Sequence, residues 1–317
     1  MRARLAILLV AALGARALAD DKPAPLLWEA RGKKGVRIFL LGTIPVTDPR
    51  LHKLAPPCEQ AYQLATSVYT EDGMELEEFR AEVWRRAKEI SRLNPFGETA
   101  KPASLKRRLG DALYKRVHDT IPPWQHPFLV QLTEDDIRVA IQWVRDADST
   151  AELVAVEKRG GDVRSVDAVL WERGKKDGKA VGGLISYFDE EDRQKEALGS
   201  VSAREILKSY LDAVAGYRNE KTTLPQKYRA LFEKGDAEGI DKLTREPLAK
   251  FPKFQRAILD ERSKALGDRL LAWAKTPGTY LVVLDISHIV GKTGVAAQLR
   301  ENGFDVRRVN AGEKLAE

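Results

Sequence analysis

Apolar and polar positions divide this chain into two ends of one kind and a middle of another. Near the start, apolar runs at 26–30 and 36–41 flank Arg31-Gly-Lys-Lys-Gly35, a spacing that predicts a β-hairpin. The second run becomes continuously apolar, as a strand buried on both faces does, and stops at Gly42-Thr43-Ile44-Pro45. Helical spacing over 54–65 then leads into the strand-like Ser67-Val-Tyr-Thr-Glu71, which completes a βαβ unit. The far end repeats the theme. An amphipathic helix over 257–275 is followed by a Pro277-Gly278 turn, a buried strand over 279–285, a helix over 294–302 capped by Gly303, and a last strand over 304–309. The pattern predicts an α/β fold in which a mixed central sheet is assembled from two related N- and C-terminal βαβ halves.

Between the ends, from about 75 to 256, the pattern changes to helical spacing and high charge. Pro95, Pro102, Pro122, Pro123 and Pro127 punctuate its first half, and helices are expected over 201–211, 224–234 and 236–243. This stretch reads as a large helical insertion. His118 and His126 fall within it, beside Pro122-Pro-Trp-Gln-His-Pro127, which reads as a packed loop; no role is assigned to either histidine.

The first nineteen residues have the order of a cleavable secretory signal: Arg2 and Arg4, an apolar run over 5–13, and Ala17-Leu18-Ala19 as a small-residue cleavage site. The expectation is one α/β domain over 20–317, exported to the periplasm or secreted. A membrane anchor is disfavoured because Arg16 interrupts the apolar run too early, and no later run is long enough to span a bilayer. The formal charge of +6 falls to +3 once Arg2, Arg4 and Arg16 leave, and the 47 acidic residues are interspersed with the basic ones. That pattern argues against a nucleic-acid partner. Cys58 is the only cysteine, so no disulfide can form within the chain and stability must come from a core.

Gly291-Lys292-Thr293 after a buried strand has the ending of a phosphate-binding loop. The glycine which that loop needs further upstream is absent, because Ile286 stands there, and the nucleotide reading is set aside.

Five stretches together resemble the TraB/PrgY/GumN family, relatives of the Tiki metalloproteases: Phe39-Leu-Leu-Gly-Thr-Ile-Pro45, Tyr69-Thr-Glu-Asp72, Glu261-Arg262, Tyr280-Leu-Val-Val-Leu-Asp-Ile-Ser-His-Ile-Val-Gly291 and Gly303-Phe-Asp-Val-Arg-Arg-Val309. In that family each end supplies a Gly-x-x-His at a strand terminus and a glutamate follows the second strand, so that mixed nitrogen and oxygen ligands converge on a divalent metal that activates water. The resemblance implies catalytic roles for Glu71, His288 and Arg262, and metal ligation by Glu71, Asp285 and His288. It also shows the pattern broken. The first motif starts at Gly42 and has Pro45 where histidine belongs, the second has Asp285 in place of glycine, and Ile185 stands where the family has a glutamate.

Each surviving residue has a plainer reading. His288 can be a hydrogen-bonded core histidine, Glu71 can be the salt-bridge partner of Arg262, and Asp285 can neutralise a buried arginine. His52 is a candidate substitute ligand for the histidine lost at Pro45. Two functions follow. The favoured one is a degenerate, non-catalytic relative that binds a peptide or an exported protein. The alternative is an active metal-dependent peptidase with a rearranged site of Glu71, Asp285 and His288, loaded with manganese, cobalt or zinc.

Overall fold

The computed structural model describes residues 25–46, 48–72, 104–133, 136–186, 193, 196–199, 202–273 and 276–316. The signal over 1–19 and the first part of the insertion, 75–103, lie outside the described residues.

A six-stranded sheet organises the molecule. The hairpin is β1 (Leu27–Arg31) and β2 (Val36–Thr43); α1 (Pro56–Leu64) leads to β3 (Ser67–Thr70). The middle contributes α2 (Leu105–Leu109), α3 (Asp111–Thr120), α4 (His126–Leu129), α5 (Ile137–Arg145), α6 (Ala147–Glu157) and α7 (Val166–Lys176), then a short strand β4 (Ala180–Gly183). Next come α8 (Ala203–Asn219), α9 (Leu224–Glu233), α10 (Ala237–Arg245), α11 (Pro252–Gln255) and α12 (Glu261–Trp273). The chain closes with β5 (Gly278–Asp285), the single turn α13 (Ile286–Ile289), α14 (Val295–Glu301) and β6 (Asp305–Arg308). The strand order is β4-β3-β5-β2-β1-β6, with β4, β3, β5 and β2 mutually parallel and β1 antiparallel to both β2 and β6. The mixed α/β architecture expected from the pattern is therefore present.

Alternation along the central strands explains why both faces are covered. Ile38, Leu40, Val282 and Leu284 join one cluster with Leu266 and Leu270 of α12 and Leu299 of α14. Phe39, Leu41, Leu281 and Val283 join another with Cys58, Ala61 and Tyr62 of α1 and Leu170 of α7. With side chains on both faces removed from water, these strands carry no polar alternation. The helical middle has its own cluster, built on Leu105, Leu109, Val117, Val144, Ile206 and Leu207 among others.

The two βαβ units interlock. β2 crosses over β5 to reach β3, whereas β5 crosses over β2 and β1 to reach β6, so the two connections run in opposite directions across the sheet. Crossovers of one hand that run in opposite directions must lie on opposite faces. Accordingly α1 and α14 pack into different clusters.

Three expectations are corrected in detail. Residues 180–183 form an edge strand that pairs in parallel with β3, so the insertion delivers a strand to the sheet. The helix expected over 257–275 is interrupted: a π-helical turn, Arg256–Asp260, precedes α12. The 122–127 segment is not a packed loop, because α4 and the turn before it point Gln125 and Leu129 inward and leave Trp124 and Phe128 half exposed. His118 and His126 stack on each other with ring centroids 3.7 Å apart. No helix among the described residues is long and apolar enough to cross a membrane.

Candidate functional site

Adjacent parallel strands whose crossovers diverge leave a crevice at their carboxyl ends. Here those strands are β2 and β5, whose last residues, Thr43 and Asp285, are partners in register. Glu71 lies just past β3, the other neighbour of β5. The backbone thus brings the two ends of the sequence to one edge of the sheet, as the paired motifs imply.

Glu71 is the hub. Its Oε2 accepts from Arg262 Nη2 of α12 at 2.7 Å, and its Oε1 accepts from the backbone N–H of Asp285 at 2.6 Å. Both partners of the ion pair are mostly buried, with 14% of each side chain exposed. Burial pushes the Glu71 carboxyl up, but the His288 imidazole, the Arg262 guanidinium and the Asp285 N–H together hold it below the ordinary glutamate range. Its backbone carbonyl accepts from the N–H groups of Leu184 and Ile185, which anchors the strand end of β4 beside it.

His288 sits on α13 and is buried. Its Nδ1 lies 3.0 Å from Ser263 Oγ, and the Ser263 hydroxyl donates to the Leu259 carbonyl at 2.7 Å. A hydroxyl has one proton, so Nδ1–H is the donor to Ser263. Nε2 is thereby turned toward Glu71 Oε2, at 3.9 Å.

Asp285 and Asp167 add carboxylates. Asp285 Oδ1 accepts from both the N–H and the hydroxyl of Ser287, at 2.9 and 2.6 Å, so the side chain caps the turn that carries His288. Burial is the main reason its carboxyl is raised, with Glu71 adding to the rise and His288 opposing it. Asp167, in the first turn of α7, is raised to about 7 by burial and then by the charges of Glu71 and Asp285. Thr43 Oγ1 lies 3.3 Å from Asp167 Oδ1 and 3.2 Å from the Leu284 carbonyl. A neutral Asp167 can donate to Thr43 while Thr43 donates to Leu284, which satisfies all three groups.

Glu71, Arg262, Asp285 and His288 are brought together; the remaining positions are not part of this network. Pro45 is exposed and offers no donor atom. Gly42 lies within the sheet, where an added Cβ would meet Ile286 Cδ1 at 2.6 Å. Ile185 packs against the apolar cluster. His52 does not replace the missing ligand: its Nε2 is 2.9 Å from the Arg164 carbonyl, and its Nδ1 faces Asp162. Asp285 is held by Ser287, not engaged with an arginine as one reading expected. Asp167 and Ser263 escape sequence reading, since one acid among 47 and a lone hydroxyl carry no spacing signal, and Thr43, though it lies in the first motif, is given no role by it.

These residues do not fit a resident divalent metal. The cationic guanidinium and a backbone N–H engage both oxygens of Glu71, Asp285 Oδ1 is doubly hydrogen-bonded, and position 45 has no donor. Among the described residues no group of three or more His, Cys, Asp or Glu side chains is placed to hold a metal ion.

The model of the TraB/PrgY/gumN family matches residues 26–308. No curated protein matches this chain, and no solved structure does.

Proposed function

This chain belongs to the TraB/PrgY/gumN family, and from that premise we propose that it is an exported, non-catalytic member that uses the crevice at the carboxyl edge of its sheet to bind a peptide or protein partner. The observation that carries the proposal is the Arg262 guanidinium on Glu71. Arg262 and the Asp285 N–H each engage one oxygen of Glu71, so both oxygens of the carboxylate already face a donor where a metal would need them. Pro45 and Ile185 remove two further chemical groups at positions where the family's pattern has them. What remains is an ion pair with a histidine pinned beside it, an arrangement that holds strand ends in place without activating water.

A second reading keeps an active peptidase with a rearranged site. Its support is His288: a histidine whose Nδ1–H is held by a hydroxyl presents Nε2 in the manner of a metal-binding imidazole. For that reading to hold, Arg262 must leave Glu71.

Elemental analysis of the purified mature protein separates the two. The expected result is substoichiometric zinc, manganese and cobalt, unchanged in His288→Ala, with no cleavage of a broad peptide library. Stoichiometric metal that is lost in His288→Ala, with cleavage abolished by Glu71→Gln, overturns the proposal in favour of the hydrolase.

A further inference from the structure

A cavity of about 350 Å³ opens beside the crevice, between the segment that follows β2, the start of α1, the start of α7 and the end of α9. Its walls include Leu26, Leu41, Ile44, Leu54, Cys58 and Phe232. The polar groups in its lining are already committed or lie outside. The Thr43 hydroxyl is shared between Leu284 and Asp167. Asp48, which is buried, is gripped by Arg50 through three contacts of 2.6 to 3.1 Å and caps the turn after β2. Arg50, Lys53 and Glu233 are exposed, and the four charged residues of the lining are two acids and two bases. Among the described residues, the interior therefore offers apolar surface and no buried charge without a partner.

From this geometry we infer that the cavity is a binding site for a small, neutral, largely apolar molecule with a flat ring system. A dry cavity of about 150 Å³ takes benzene, and ligand pockets begin at about 300 Å³. The volume here suits roughly ten to fifteen non-hydrogen atoms, the size of a two-ring aromatic. A charged ligand of that size would lose hydration without gaining an unshared partner inside. The Phe232 ring supplies a flat apolar surface, and the Cys58 thiol, raised to about 12 by burial, is a soft wall atom and only a slow nucleophile. This site does not depend on the peptide-binding reading, because its walls include none of Glu71, Arg262, Asp285 and His288.

Cys58 is the only cysteine, so its alkylation reports occupancy of the cavity without any engineered label. The probes are indole and 2-naphthol, with naphthalene-2-sulfonate as the charged counterpart of the same ring size. The expected result is a saturable rise in melting temperature with the two neutral probes. Cys58 modification should slow by one plus the ratio of free probe to Kd, about tenfold at ten times Kd. Naphthalene-2-sulfonate should do neither. Leu54→Trp, which fills the cavity from its own wall, should abolish the thermal shift by both neutral probes. The inference is overturned if neither neutral probe stabilises the wild-type protein or protects Cys58, if the sulfonate binds as well as 2-naphthol, or if folded Leu54→Trp binds like wild type. Should Leu54→Trp fail to fold, the protection measured in the wild-type protein decides alone.

Discussion

Asp167 is the residue whose chemistry differs most from its ordinary behaviour. Its carboxyl is raised to about 7 from 3.8, chiefly by burial and then by the neighbouring charges of Glu71 and Asp285. Because the folded state keeps this proton longer than the unfolded chain does, stability falls as pH rises between those two values. Asp167→Asn keeps a donor to Thr43 and removes the charge. It should therefore stabilise the protein at pH 8, by about 1–3 kcal/mol, and leave it unchanged near pH 3. Chemical denaturation at the two pH values measures this, and equal effects at both would contradict the assigned cause. The motif residues behave differently: Glu71, Arg262 and His288 stand out in the sequence because they sit at strand and helix positions that repeat a known pattern. Asp167 stands out only once α7 has been packed against the end of β2.

Among the elements, β2 and β5 are the pair on which the site rests, and the turn α13 that follows β5 packs tightly on Gly42 of β2. A methyl group there would meet Ile286 Cδ1 at 2.6 Å and Leu26 Cβ at 3.3 Å. Gly42→Ala should cost about 1–3 kcal/mol through overpacking. Ile286→Val removes the atom that is struck, so the double variant should be more stable than the sum of the two single changes predicts. Thermal melts of the four proteins form the test, and strict additivity would show that the clash is relieved elsewhere. The strands at both ends are legible in the sequence because continuous apolar runs between Gly and Pro signals have few other solutions. β4 is not, since Ala180-Val-Gly-Gly183 has little side chain to declare a strand, and its pairing with β3 makes it one. The π-helical turn before α12 is invisible for a similar reason: it shifts the phase of a helix without changing the residue types.

For the molecule as a whole, a second buried carboxylate ties the sheet together away from the site. Glu29 of β1 is fully buried and bonds Arg31 of its own strand, Arg37 of β2 and Arg307 of β6. Burial pushes its carboxyl up, but the three arginines more than offset that and hold it below the ordinary range, as happens at Glu71. A depressed folded-state pKa gives stability that is complete above the unfolded value of 4.5 and is lost as pH falls through the folded one. Glu29→Gln should thus destabilise the protein by about 2–4 kcal/mol at pH 7. The gap to wild type should narrow steadily as pH falls below about 4. An acid titration followed by circular dichroism checks this; a gap independent of pH would mean that packing and not charge is lost.

The α/β class, the helical middle and the family were within reach of the sequence, because they depend on periodicity, composition and motifs that are local in the chain. The tertiary structure decided what the motif residues are bonded to. Arg262 and Glu71 are 191 positions apart, and Thr43 and Asp167 are 124 apart. Only the interlocked crossovers that place β2 beside β5 bring such groups within hydrogen-bonding distance. The same packing leaves the cavity beside Cys58, since a space between elements belongs to no stretch of sequence.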